Sequence, residues 1–193
     1  MKSILFFSHN QKKINEVKKI FNKSMLNIKS LNDSDNIKEP KESGLSFADN
    51  AKIKSLYGYL KFKMPCFADD SGICIDALNN KPGIESKRFF DKFKNSKDVF
   101  KYIISNTINK NNNRAFFNTT ICLTLSLTHH IFFVGKISGV IAKKPRGLNG
   151  FGYDPIFIPN GLDKTFAEIK SSEKNKISHR RIALEKMGSF LVN

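Results

Sequence analysis

Cysteine is scarce in this chain: Cys66, Cys74 and Cys122 are three in number, with no C-x-x-C pair among them. An odd count without that spacing argues against a disulfide framework and against a zinc site, and it suits a reducing cytosol. Each cysteine lies in an apolar, strand-like run, where small buried thiols belong. Long hydrophobic runs are missing as well. The first, residues 4–7, is too short for a signal peptide, and no later one approaches membrane-spanning length. The expectation is a soluble, intracellular, cytoplasmic protein. Internal repeats and low-complexity segments are absent, and acidic residues (17) fall well short of basic ones (33).

What is present is enough to fold. With 193 residues, 40% of them hydrophobic and 18 of them Phe, the chain can bury a core as one domain over residues 1–193, with room for two lobes. The formal net charge of +16 invites a nucleic-acid reading. Against it, Lys and Asn are scattered through every segment, as drift in codon usage would also produce. A basic surface equally suits a nucleoside triphosphate. Charge alone does not choose.

The chain is organised around residues 67–83, F-A-D-D-S-G-I-C-I-D-A-L-N-N-K-P-G. Asp69 and Asp70 follow an apolar run and precede Ser71-Gly72, after which apolar residues resume. The pattern predicts a strand, a tight turn carrying the acids, and a second strand. Acids so placed suit a hard divalent cation held through oxygen. Asp also favours turns for its own sake, by bonding its own backbone.

Upstream, residues 3–7 form a wholly apolar strand leading into Ser8-His9-Asn10-Gln11-Lys12-Lys13 and a helix with Ile14, Val17 and Phe21 on one face. Asn10 is placed to cap that helix. Free amides and the helix dipole make such a junction ready for an anion, although no glycine pattern of a P-loop is present. A short strand is expected at residues 25–28 and a polar loop at residues 32–41. Ser46 and Asp49 fit a capping box opening a helix to about Lys61, with Ala51, Leu56 and Leu60 inward and Lys52, Lys54 and Lys61 outward. Glu39 and Glu42 precede it, each a candidate second carboxylate for a metal or a favourable charge near a helix start.

Downstream, Ser96 is expected to cap a helix with Val99, Tyr102 and Ile103 inward. Residues 117–127 alternate as a half-buried strand, and residues 131–136 and 137–142 follow as two more. His129-His130 reads as a solvated turn. Residues 144–155, K-P-R-G-L-N-G-F-G-Y-D-P, pack glycines against aromatics, where a backbone can approach a ligand and a ring can stack on a base. A loop with buried aromatics fits the same letters. A last helix starts at Ser171 or Ser178, buries Ile182, Leu184, Met187 and Leu191, and carries Lys174, His179, Arg180 and Arg181 near its start.

Taken together and in order, S-x-N-x-x-K, E-S-G-x-S-F-x-x-N-A, A-D-D-S-G-I-x-I-D-A-L-x-x-x-P-G, G-F-G-Y-D-P-I-F and E-K-x-x-I-S-H-R-x-x-A-L resemble the inosine/xanthosine triphosphate pyrophosphatase family, the RdgB-like purine nucleoside triphosphate pyrophosphatases. The resemblance spans residues 4–184. It implies an α/β fold with an elongated mixed central sheet flanked by helices, two lobes and a nucleotide cleft between them, usually as a homodimer. It implies Mg2+-dependent hydrolysis of ITP, dITP and XTP to monophosphate and pyrophosphate, with no stable nucleic-acid or membrane partner. Residue by residue, Ser8, His9, Asn10, Gln11, Lys12 and Lys13 match the triphosphate loop. Asp70 matches the metal-binding acid credited with activating water, Glu42 the other metal-side carboxylate, and Ser71 a substrate contact. Lys54 matches a phosphate-side Lys. Phe151, Gly152, Tyr153 and Asp154 match the base-pocket loop, and Lys174, His179 and Arg180 the remaining base contacts. Two departures stand out: Ser8-His9-Asn10 replaces Thr-Gly-Asn, and Glu85-Ser86-Lys87-Arg88-Phe89 replaces Tyr-Ser-Ala-Arg-Tyr.

Overall fold

Strand β1 (Ser3–Phe6) feeds two cores at once. Ile4 and Phe6 point into one apolar cluster, Leu5 and the following Phe7 into another, and none exceeds 2% exposure. That is the period of two expected of a strand covered on both faces. The structure is a computed structural model, and it describes residues 3–22, 26–31 and 37–192. The chain divides into two compact units. The first holds the residues up to Asp70, Thr119–Gly135 and those from Arg181; the second holds Ser71–Asn118 and Lys136–Arg180.

In the first unit, β2 (Asn27–Ser30) and β3 (Cys66–Ile75) both run parallel to β1. Helix α1 (Gln11–Phe21) covers one face through Ile14, Val17 and Phe21, packing with Ala183, Leu184 and Met187 of the last helix. On the other face α2 (Phe47–Phe62) brings Tyr57, Tyr59 and Phe62 against Leu5, Phe7, Cys66 and Ala68. Phe67 stacks on Phe6 with ring centres 4.8 Å apart.

In the second unit, the far half of β3 pairs with the antiparallel β4 (Lys81–Pro82), followed by α3 (Ser86–Asp91) and α4 (Ser96–Asn109). Val99, Phe100 and Ile103 of α4 pack on Ile73 and Ile75, on Phe117 of β5 (Arg114–Thr124) and on Ile141 of β6 (His130–Ile141). Strand β7 (Phe157–Pro159) runs antiparallel to β6, and α5 (Ser171–Ile177) follows; α6 (His179–Val192) belongs to the first unit from Arg181 on. Among the described residues the strand order is β2-β1-β3-β5-β6-β7, with β4 beside β3, which makes a mixed α/β fold.

Several expectations are corrected. The acids do not sit in a turn: β3 runs unbroken from Cys66 to Ile75, because Lys13, Asn50 and Lys54 supply partners that let Asp69 and Asp70 stay in a buried strand. The expected strands at 131–136 and 137–142 are one, β6. Strand β5 is buried on both faces over most of its length, its threonines included, while Leu127 lies beyond it and is exposed. Asn95, not Ser96, caps α4 by accepting the Asp98 N–H, and Tyr102 lies outward. Ala51 of α2 is buried as expected, but Asn50, Lys54 and Ser55 are buried with it, and Leu60 is exposed. Both expected starts of the last helix are helix starts: α5 begins at Ser171, and Ser178, whose extended backbone ends α5, directly precedes α6. The strand expected at 25–28 is β2; Met25, and residues 32–36 of the expected loop, lie outside the described residues.

All three cysteines are buried, and burial pushes each thiol up, Cys74 to about 11. Phe67 is fully buried. Phe67→Ala should cost about 3–5 kcal/mol through lost transfer energy and the cavity left behind. Urea unfolding should show a lower midpoint with an unchanged slope.

Candidate active site

The first unit gathers five charged side chains, Lys13, Glu42, Lys54, Asp69 and Asp70, where α1, α2 with the stretch before it, and β3 meet. Lys54 lies on the inward face of α2, 6% exposed, a position that costs a cation heavily unless acids surround it. They do. Its Nζ is 2.6 Å from Glu42 Oε1 and 3.9 Å from Asp70 Oδ1. Asn50, one turn earlier, donates to Asp70 Oδ2 at 3.1 Å. On the neighbouring residue of β3, Asp69 accepts from Lys13 Nζ at 2.9 Å.

Burial pushes the Asp70 carboxyl up from 3.8 to about 6; Glu42 adds to the rise, while Lys54, Asn50 and Lys13 oppose it. For Lys54, burial alone would lower the ammonium, but Asp69, Asp70 and Glu42 outweigh it and hold it above the usual lysine value.

The loop before α1 is braced from within. Asn10 Oδ1 accepts the N–H groups of Lys12 and Lys13 at 3.1 and 3.2 Å, and Ser8 Oγ accepts the Asn10 N–H at 3.2 Å. Glu39 reaches His9 twice, at its backbone N–H (3.0 Å) and at Nδ1 (3.2 Å). Burial would raise the Glu39 carboxyl, but those two contacts, with Lys54 and His9 charges, leave it lowered. His9 is not among the non-glycine residues with positive φ, so replacing a glycine there brings no backbone strain. Gln11 Nε2 donates to Asn15, and Lys12 is exposed.

The second unit holds the other set. The loop after β6 is wound about the Asp154 carboxylate, which takes the Phe151 N–H at 2.8 Å and Lys174 Nζ at 2.5 Å. Gly150 has φ of 77°, and a Cβ there would run into Asp154, so only glycine fits. Lys174 is 6% exposed and lies over the Phe151 ring, 4.7 Å from its centre. Tyr153 is buried, with its hydroxyl donated to the Ser86 carbonyl at 2.7 Å. His179 stacks on Phe117, ring centres 4.8 Å apart, and Arg180 Nη2 donates to Ser71 Oγ at 3.4 Å. A cavity of about 1030 Å³ opens beside this loop, with Phe151 and Gly152 in its wall, lysines 97, 101, 143 and 144 around it, and no acid in its lining. Such a wall favours anions.

The Ham1 family pattern matches residues 4–190. The chain belongs to the Ham1 family. Among curated relatives, a dITP/XTP pyrophosphatase of Aquifex aeolicus is 37% identical over 199 residues, covering 98% of this chain and 96% of that protein. One of Flavobacterium johnsoniae is 38% identical, with 97% of each covered. Among solved structures, the HAM1 protein of Coxiella burnetii has a TM-score of 0.90 at 32% identity, covering 100% of this chain and 99% of that one. The Staphylococcus aureus Ham1 protein has a TM-score of 0.87 at 35% identity, with 98% of each covered.

The Ham1 chain thus assembles two charged groups from residues far apart in sequence. Ser8 to Lys13, Glu42, Lys54 and Asp70 fall in the first unit; Ser71, Phe151 to Asp154, Lys174, His179 and Arg180 fall in the second. Three partners escaped the sequence reading: Asp69 as the acid facing Lys13, Asn50 as the donor to Asp70, and Ser86 beneath Tyr153. Asn50 stood in plain view within F-x-x-N-A, one helical turn before Lys54. Of the two neighbouring histidines, His130 bonds Thr124 through Nδ1 and the Leu127 carbonyl through Nε2, a structural role, while His129 is exposed.

The raised carboxyl has a consequence for stability. Folded Asp70 holds its proton more tightly than the unfolded chain does, so its contribution is full below 3.8 and is lost as pH rises through about 6. Asp70→Asn removes that loss. Without added metal, the melting temperature of the variant should gain on the parent from about pH 4 to about pH 7. A difference that stays flat across that range would contradict the raised carboxyl.

Proposed function

We infer that this chain is a nucleoside triphosphate pyrophosphatase that hydrolyses non-standard purine nucleotides (ITP, dITP and XTP) to the monophosphate and pyrophosphate, cleansing the nucleotide pool. The observation that carries the reading is the buried pair of Asp70 and Lys54 with the half-buried Glu42 on the same ammonium, and Asn50 donating to Asp70. Curated relatives across nearly the whole chain bear the name dITP/XTP pyrophosphatase, which supports the substrate class. The resemblance supports one nucleotide-binding domain over residues 1–193, a cytoplasmic homodimer, and no stable nucleic-acid or membrane partner. No described helix is long and apolar enough to cross a membrane.

Mg2+ is the metal that fits. Asp70 and Glu42 already share one cation, Lys54, so the donor set is anionic, oxygen-bearing and charge-compensated. Among the described residues no cluster of three or more metal-binding side chains occurs. A Mg2+ site commonly uses one or two carboxylates and completes its shell with phosphates and water. Asp70 would hold the ion, with Glu42 or Glu39 as the second carboxylate. When bound, it supplies charge neutralisation and polarisation at the phosphate oxygens.

The chain's own residues do the rest. Asp70 accepts the proton of the attacking water; a carboxyl near 6 is well matched to that task. The water oxygen bonds to the α-phosphorus, the bond to the β-phosphate oxygen breaks, and pyrophosphate leaves. Lys13 and Lys54 stabilise the charge that develops. Asn50 orients Asp70. At the base, Phe151 stacks on the purine, and Lys174 and Arg180 donate to the 6-oxo group of hypoxanthine or xanthine. Adenine presents an amino donor instead, leaving buried donors unpaired at a cost of about 1–3 kcal/mol each.

A pyrophosphate-release assay with ITP, XTP, dITP, GTP, ATP and pyrimidine triphosphates tests the reading, with and without Mg2+. Metal-dependent release from the 6-oxo purines is expected. Equal rates on ATP, or tight salt-dependent nucleic-acid binding without release, would overturn it. Asp70→Asn should lower kcat by about a hundredfold or more while the fold is kept. Arg180→Ala should raise KM for ITP and erode discrimination against ATP by about tenfold, about one lost hydrogen bond to a charged donor.

A further inference from the structure

Ser86, the first residue of α3, touches both the acid strand and the base loop. Its hydroxyl accepts the Ile73 N–H at 2.9 Å and donates to the Gly83 carbonyl at 2.6 Å. Its own carbonyl accepts the Tyr153 hydroxyl at 2.7 Å. Ser86 is 5% exposed, as is Tyr153, so neither bond is shared with bulk water. The packing leaves no slack. A Cβ on Gly72 would collide with the Gly83 carbonyl and with Ser86 Oγ, and Phe90 meets the Tyr153 ring edge-on at 5.3 Å.

Position on the chain gives these contacts their meaning. Ile73 lies three residues after Asp70 and two after Ser71, the residue that takes Arg180. Tyr153 immediately precedes Asp154, the carboxylate that holds Lys174 and the Phe151 N–H. A shift of the loop at Tyr153 therefore moves the Ser86 carbonyl, and with it the hydroxyl that fixes β3 at Ile73.

We propose that Ser86 is a positioning residue: through Tyr153 it ties the seating of the purine base to the alignment of the Asp70–Ser71 stretch. The inference rests on the pyrophosphatase reading and deepens it. Binding of a 6-oxo base settles the loop about Asp154, and Ser86 passes that settling to the strand bearing the acid. Base selection is then expressed in turnover as well as in affinity.

The test is a double-mutant cycle on the full chain with ITP. Ser86→Ala and Tyr153→Phe should each lower kcat about tenfold with KM changed less than about twofold, since both act on alignment and not on base contact. The double variant should be no slower than the slower single one, because either change cuts the same link. Parent-like kcat in both variants with only a lower melting temperature would overturn the proposal. So would losses that multiply in the double variant. If Ser86→Ala does not fold, Tyr153→Phe, which removes only a hydroxyl, decides by the kcat-against-KM comparison alone. A parent chain that releases no pyrophosphate sinks the activity reading and this inference together; an active parent whose variants match it sinks this inference alone.

Discussion

A single buried ammonium holds the first unit's polar centre together. Lys54 is inside the protein, and Asp69, Asp70 and Glu42 are close enough to lift its proton affinity against the cost of burial. Lys54, Asp69 and Asp70 would not tolerate their buried positions alone. An ionised group in a low-dielectric interior costs several kcal/mol unless opposite charge and hydrogen bonds accompany it.

The second unit solves a similar problem with a different device. There one carboxylate, Asp154, is used as a spool: a glycine with positive φ lets the backbone wrap tightly enough for the Phe151 N–H to reach it, and Lys174 neutralises it. The aromatic ring and the ammonium are thereby presented as a pair, 4.7 Å apart. Arg180 and His179 are buried at the start of α6, where unfavourable dipole interaction is offset by Ser71 and by stacking on Phe117.

Much of this was legible from the sequence, and the misses share one cause. The strand β1, the Asn10 cap, the α1 face and the Ser46 cap follow from local chemistry and read correctly. The failures came where distant residues change what a position tolerates. Asp69-Asp70 looked like a turn because the lysines that neutralise it are 56 and 16 residues away along the chain. Lys54 looked like surface decoration for the same reason. The threonines of β5 suggested a solvated face, but Ser55 of α2 meets Thr124 at 2.8 Å and the face is closed. The ordered motifs carried the site residues further than periodicity did, since they encode chemistry and not burial. They displayed Asn50 within F-x-x-N-A but not its pairing with Asp70.

The cysteines carry a further implication. Their thiols are shut away and their ionisation is driven upward, so little nucleophilic thiolate exists at neutral pH. Alkylating reagents should therefore report on the rate at which the chain breathes and not on intrinsic sulfur reactivity. Cys66 on β3, four residues before Asp70, would act as a built-in clock for opening of the strand that bears the acids.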